Sequence, residues 1–418
     1  MEGEVTCPKM RGVEIFPAEV SGQKVICLRD PLNLSGKILF VPYPTFFILS
    51  LFDGQHSVVE IQTEFMRRFG ELLYREKVEA LMGQLDEHFL LENERFRQAE
   101  SRMVESFKKS RVRPMALAGE SYEGDGQNLK DTLASFFVDS DGPGLPHAPD
   151  GSIRLSGAIA PHIDYRRGGP CYAWAHRQIL ESPAPDLFII LGTAHSPMKR
   201  PFALTRKHFQ TPWGPVETDQ AFLSAAEEGG AKDFYEDEWV HKNEHSIELQ
   251  LIFLRAFWER PEPLRVVPIL CGSFHEAVQN QMSPGELPGV GLFIEALKFA
   301  SDRMGKRVCF LASADLAHVG LRFGDSDPPD RFILQTLAEE DRRLLGYAER
   351  VDAEGFFGLL SREGDRRRVC GLAPIYILLR LLEGAQGRLL KYSQSLDPAG
   401  QSVVTFASMA YFAPRRKA

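Results

Sequence analysis

The sequence predicts an α/β domain with a mostly parallel central sheet and helices on both faces, preceded by a smaller unit. Three observations carry that reading. From about residue 111 onward, apolar runs at 158–160, 187–191, 266–270 and 308–311 alternate with helical patterns. The runs are near-continuous, as in strands covered on both faces. A chain of 418 residues is also long enough for two domains, or for one large domain with an appendage.

The smaller unit is expected over residues 1–95. KVICLR (24–29) reads as a strand, and the apolar stretch 44–52 as a buried helix ended by Asp53-Gly54. Ser57 and Glu60 form a capping box, each satisfying a free backbone N–H at a helix start. The helix they open shows Ile61, Phe65 and Phe69 on one face. A third helix carries Val78, Leu81 and Leu85, with Phe89-Leu90-Leu91 behind it. Short strands with three short helices predict a winged-helix-like domain. Over residues 20–95 it resembles the PqqD-like peptide-recognition domains, by pattern rather than by a sharp motif. Helix 76–88 carries more acid than base, which favours peptide or intramolecular docking over DNA. A connecting helix follows over 96–110, with Phe96, Met103 and Phe107 on one stripe. Residues 140–151, rich in Pro, Gly and Asp, read as a loop inside the second unit, 111–418.

Composition narrows the function. A net charge of −8 argues against a general nucleic-acid binder, because phosphate neutralisation needs a basic surface. The opening MEGEVTCPKMRGVEIF lacks the apolar core of a signal peptide. The longest apolar run, 38–52, contains Pro42 and Pro44 and is too short to span a bilayer. Six cysteines without a CxxC pair fit neither a disulfide framework nor a four-cysteine zinc site. These features predict a cytoplasmic protein with no nucleic-acid or membrane partner.

Chemistry gathers where the strands end, the edge at which open α/β sheets place their sites. SGAIAPHIDY puts His162 after one run, LFIILGTAHS puts His195 after another, and VCFLASADLAH puts Asp315 and His318 after a third. In NEHSIELQLIFL, His245 and Glu248 stand three apart at a helix start, the spacing of one helix face. RRVCGLAPIYILL places Cys370 before a helix whose first turn holds Pro374. A lone histidine or cysteine is ordinarily structural. His176, His208, His241 and His275 are read that way, as are Cys7, Cys27, Cys171, Cys271 and Cys309.

Six ordered motifs, APHIDYRRGGPCYAWAH, ILGTAHS, NEHSIELQLIFL, SADLAH, CGLAPIYILL and YSQSLDPAG, together resemble the Memo family. They include its bacterial members in the AmmeMemoRadiSam gene set, system protein B. The entry segment VRPMALAGESYEGDGQNLKDTLASFF is similar as well, so the likeness covers about residues 111–415. It implies a fold shared with the extradiol dioxygenases, in which two histidines and a carboxylate hold Fe(II). By this resemblance the metal ligands fall on His162, His195 and Cys370, a thiol where the dioxygenases have glutamate. Asp315, His318 and His245 match the remaining polar pocket residues. Ser196 stands where some relatives carry a second histidine.

Two functions follow as expectations. One is a redox enzyme with one metal ion, Fe(II) first and Cu(I) or Zn(II) next. Its His318 would be the general acid–base, oriented or raised in pKa by Asp315, and His245 and Glu248 would contact a small-molecule or peptide-borne substrate. The other is a non-catalytic peptide-binding module that reuses the cleft. A radical-SAM protein partner is implied by the gene-set resemblance alone.

Overall fold

Apolar stripes spaced three and four residues apart close on one another in the first of two units, Met1–Lys109. The computed structural model describes residues 7–413 except 21, 33 and 153; the first six residues of the stretch read for a signal peptide lie outside the described residues. Strands β1 (Glu14–Val20), β2 (Gln23–Arg29) and β3 (Ile38–Val41) pair antiparallel in that order. Helices α1 (Tyr43–Ser50), α2 (Val58–Phe69), α3 (Arg75–Glu87) and α4 (Glu94–Lys109) follow. The capping box forms at α2, with Ser57 and Glu60 bonded reciprocally. Ile61, Phe65, Val78 and Leu85 share its core with Leu28 and Val41. The helix expected over 96–110 is α4, which falls within the first unit and buries Phe96 and Phe107.

The second unit, Ser110–Ala418, opens with β4 (Val112–Arg113) and α5 (Gly126–Val138). Next come β5 (Leu155–Ala160), α6 (Tyr165–Glu181) and β6 (Leu187–Thr193). Short strands β7 (Phe202–Leu204), β8 (His208–Phe209) and β9 (Glu217–Thr218) lead to α7 (Gln220–Glu228) and α8 (Ser246–Ala256). Then follow β10 (Arg265–Cys271), α9 (His275–Asn280), α10 (Val290–Met304), β11 (Val308–Ser313) and β12 (Asp315–Gly320). Helices α11 (Arg331–Glu349), α12 (Ala353–Arg362) and α13 (Leu372–Leu381) precede the hairpin β13 (Gln386–Leu396) and β14 (Ser402–Phe412).

Nine strands make one sheet, ordered β12-β14-β5-β11-β6-β10-β7, with β13 on β14 and β9 on β10. The four apolar runs are its parallel centre: β5, β11, β6 and β10. Both flanks are antiparallel, through β14 beside β5 and β7 beside β10. The motif YSQSLDPAG is the end and turn of the β13–β14 hairpin. Alternate residues of β6 serve opposite cores. Leu187, Ile189 and Leu191 face the layer of α7, α10, α12 and α13, while Phe188 and Ile190 face that of α8. Helices therefore cover both faces, and the strand ends are the edge left for a site. No helix among the described residues is long and apolar enough to cross a membrane.

One buried charge network secures the loop before α13. Asp341 of α11 accepts hydrogen bonds from Arg367 at 2.5 Å, from Tyr392 of β13 at 2.9 Å and from Thr405 of β14 at 2.5 Å. Both Asp341 and Arg367 are fully buried, so removing one partner strands the other's charge. Asp341→Ala is expected to lower the unfolding free energy by about 3 kcal/mol, the low end for a broken buried pair because Glu363 still faces Arg367. A urea midpoint equal to that of the unaltered protein would show that the network carries no stability.

Candidate functional site

Three neighbouring strands deliver three side chains to one place. The backbone leaves β5 at Ala160 and presents His162; it leaves β6 at Thr193 and presents His195; it leaves β11 at Ser313 and presents Asp315. Gly192, next to last in β6, is required by packing: a Cβ there would lie 2.6 Å from both Ser246 Oγ and Ile247 Cγ1 at the start of α8. The glycine of the LGTAH stretch thus admits the helix, and the following histidine reaches the site.

His162 Nε2 lies 3.3 Å from Cys370 Sγ and 3.7 Å from an Asp315 carboxylate oxygen. The rings of His162, His195 and His245 gather with centroids 4.8 to 5.6 Å apart. One ligand atom from each of His162, His195 and Cys370 falls within 4.8 Å of the others. The loop that carries Cys370 is held tightly. Asp365 and Arg368 sit at φ 47° and 53°, a left-handed conformation that side chains rarely adopt. Asp365 accepts from Val369 N at 2.9 Å, and Arg368 pairs with Asp325 at 2.7 Å. Gly371 then comes so close to Asp315 that a Cβ would lie 2.4 Å from its carbonyl oxygen.

Outer partners fix the imidazole tautomers. His162 Nδ1 faces the Ser313 carbonyl at 2.9 Å, so that nitrogen donates and Nε2 keeps its lone pair. His195 Nδ1 faces both Glu244 oxygens, at 3.0 and 3.1 Å, so that in the neutral ring Nδ1 donates and Nε2 carries the lone pair. His318 Nδ1 faces the carbonyls of Leu316 and Arg368 at 3.1 and 3.2 Å, which also leaves Nε2 as the basic atom. Metal-binding histidines characteristically have such outer acceptors.

Electrostatics keeps most of these groups neutral. Burial, reinforced by the charge of His195, pushes His162 down to about 3. Burial pushes His245 down to about 4 against the pull of Glu244. For His195, burial acts downward but the Glu244 carboxylate overrides it, and the pKa rises. Glu244 is held far below the usual carboxylate range: burial opposes ionisation, and the charge and hydrogen bonds of His195 outweigh it. Burial raises Asp315, and it drives the Cys370 thiol well above its ordinary value with the charge of Asp315 adding to it.

Several expectations change here. His245 stands at the N-cap position of α8 with helical φ and ψ of −97° and −22°, while the Glu248 carboxylate accepts from the backbone of Ala116 and Leu117. Glu248 is buried and pairs with Arg113. Asp315 does raise the pKa of His318, but burial outweighs it and the net shift is downward. Asp315 orients His162 instead, accepting that residue's backbone N–H at 2.9 Å. The role of Glu244 was absent from the sequence reading, although it stands directly before His245. The histidines read as structural include His176, bonded to Gln250 at 3.0 Å, and His241, bonded to the Ala203 carbonyl at 2.9 Å.

Two cavities adjoin the cluster. One of about 270 Å³ is lined by His195, Cys370, His275 and Arg368. The other, of about 580 Å³, shares His195, Gly272 and Ser273 and extends to Lys199 and Leu287.

The family model described as Memo-like protein matches residues 113–410. The chain belongs to the Memo family. A MEMO1 family protein of Aquifex aeolicus is 27% identical over 412 residues, covering 97% of this chain and 100% of that protein. One from Thermus thermophilus is 31% identical over 352 residues, covering 83% and 97%. One from Methanopyrus kandleri is 29% identical over 307 residues, covering 72% and 98%. The Memo model lies wholly within the second unit, whereas the Aquifex match spans both units.

The neutral buried histidines set a pH dependence. His162 is pushed down to about 3, and His176, His241 and His245 to about 4, in each case chiefly by burial. The unfolded chain, with imidazoles near their ordinary value of about 6.5, binds more protons than the folded one below that pH. Stability is therefore complete above about pH 6.5 and falls as pH drops toward 4. Each of the four contributes up to ~1.4 kcal/mol per pH unit, and His195, with its raised pKa, works in the opposite sense. Urea unfolding at pH 7, 6 and 5 should show a steep loss. A flat profile would mean that these imidazoles are not held neutral.

Proposed function

We propose that this Memo family protein is a metal-dependent redox enzyme with one metal ion held by His162, His195 and Cys370. The observation that carries the reading is the convergence of two imidazoles and a thiol within 4.8 Å beside a cavity. The tautomers support it, since each histidine keeps a lone pair on the nitrogen turned away from its outer acceptor. Fe(II) is the ion proposed; Cu(I) and Zn(II) suit the same donors, and thiolate in place of carboxylate makes the set softer. When bound, Fe(II) supplies open positions at which a substrate and dioxygen can meet, as in the extradiol dioxygenases whose fold the motifs resemble.

The residues of the chain carry the remaining work. His318, neutral and basic at Nε2, takes a proton from a hydroxyl of the substrate. Asp315 fixes His162, and His245 contacts the substrate beside His195. A small oxygen-rich or aromatic molecule, or a peptide-borne group of that kind, suits the volume. A reducing cytoplasm, which keeps Cys370 a thiol, is the location proposed.

The second reading, a peptide-binding module, has its own support. The three-stranded sheet of the first unit exposes Ile15, Phe16, Ile38 and Phe40, and Tyr43 follows it. Exposed apolar side chains on a small sheet suit a peptide. This is where a winged-helix, PqqD-like role belongs, with a peptide or a radical-SAM protein as the partner.

Calorimetric titration of metal separates the two. His162→Ala, His195→Ala and Cys370→Ser should each weaken binding by at least the ~10–100-fold typical of losing an outer-shell partner, while His56→Ala in the first unit should not. Affinity should also fall with acidity, because protons compete for the imidazoles and the thiolate. With Fe(II) loaded, oxygen consumption should respond to a catechol or related substrate. Equal affinity in all variants, with no oxygen uptake, would leave the peptide-binding reading.

A further inference from the structure

The entry segment of the second unit contributes nothing to the donor set, yet it grips the loop whose Glu244 meets His195. Arg113 is wholly buried. Its Nε donates to the His241 carbonyl at 2.8 Å and its Nη2 to the Glu244 carbonyl at 2.6 Å, while Nη1 pairs with the Glu248 carboxylate. Glu248 also accepts the backbone N–H groups of Ala116 at 2.8 Å and Leu117 at 3.0 Å, and the Tyr122 hydroxyl at 2.5 Å. One planar guanidinium therefore spans positions 241, 244 and 248, and Ala116, Leu117 and Tyr122 hold the Glu248 carboxylate as well.

We propose that Arg113 and Glu248 are positioning residues that hold residues 241–248 so that Glu244 meets His195 and His245. The proposal rests on reading His162, His195 and Cys370 as metal donors. A buried ion pair is a poor device for stability alone, since well-packed apolar residues of the same volume usually serve as well. A rigid fork is suited to fixing two carbonyls and a carboxylate at once, which a lysine cannot do. Its object here is the Glu244 backbone, one bond away from the side chain that sets the His195 tautomer.

The test is titration of the full chain with Co(II), read by its visible bands and by its thiolate charge-transfer band. The unaltered protein should bind, and His162→Ala and Cys370→Ser should lose affinity or the thiolate band. Glu248→Gln and Arg113→Lys should weaken Co(II) about tenfold and alter the visible bands, the low end for outer-shell partners. Tyr122→Phe should give a smaller loss of the same kind and decides the matter if the other two do not fold. Leu344→Ala, which opens a hole in the core of α11, should be destabilised yet bind Co(II) normally. Affinity and bands unchanged in the folded Arg113, Glu248 or Tyr122 variants, with Glu244→Gln weakened, would overturn the positioning role. Binding unaffected by His162→Ala and Cys370→Ser would instead overturn the donor assignment, and the proposal with it.

Discussion

The Glu244 carboxylate is the interaction on which the site depends. It accepts backbone N–H groups from His195 at 2.8 Å, His245 at 2.8 Å and Ser246 at 3.0 Å, and both its oxygens lie by His195 Nδ1. It is 6% exposed, a position in which an ionised carboxylate is stable only with such a set of donors. In return it fixes three things together: where the chain turns after β6, which nitrogen of His195 carries the proton, and how α8 begins. A neutral side chain of the same size would lose the charge that raises the pKa of His195.

The other half of the site is built from the sheet. Gln250 of α8 donates to the Pro161 carbonyl at 2.6 Å and to Ser313 Oγ at 2.8 Å, and Ser313 Oγ donates to the Ser246 carbonyl at 2.6 Å. The Ser313 carbonyl in turn receives His162. Two strand ends and one helix are thereby tied without any water-exposed link. Paired members strengthen such a network, and His176, bonded to Gln250 through Nε2 alone, is buried beside it.

The parallel centre and the strand-end histidines were legible because both follow from period and position. Near-continuous apolar runs bury both faces of a strand, and His162 and His195 stand where such strands stop. The antiparallel flanks were not legible. The β13 strand is only partly buried and carries no sharp alternation, and a single residue, Ala314, separates β11 from β12, with no turn residue to mark the break. Spacing within the helix did not reveal the partners of Glu248, because Arg113, Ala116, Leu117 and Tyr122 reach it from far earlier in the chain. Glu244 left no signal of its own, because a carboxylate beside a histidine in sequence reads as a surface pair until the fold buries it.

Cys370 gives the cluster its distinctive chemistry. Burial and the neighbouring Asp315 charge keep it a thiol, and at 3.3 Å its S–H donates toward His162 Nε2. A proton thus occupies the space between the thiol and the imidazole. On the proposed metal reading, a cation entering there would have to displace that proton, and its own charge would supply the stabilisation that the buried thiolate otherwise lacks. The same surroundings that make the free thiolate costly therefore favour it once a cation is present, while Asp315, 3.7 Å from the same imidazole nitrogen, adds negative charge on the near side. Thiol and imidazole share that proton here and, on the same reading, would form a soft donor pair once a cation took its place, which is how such a site would differ from one closed by a carboxylate.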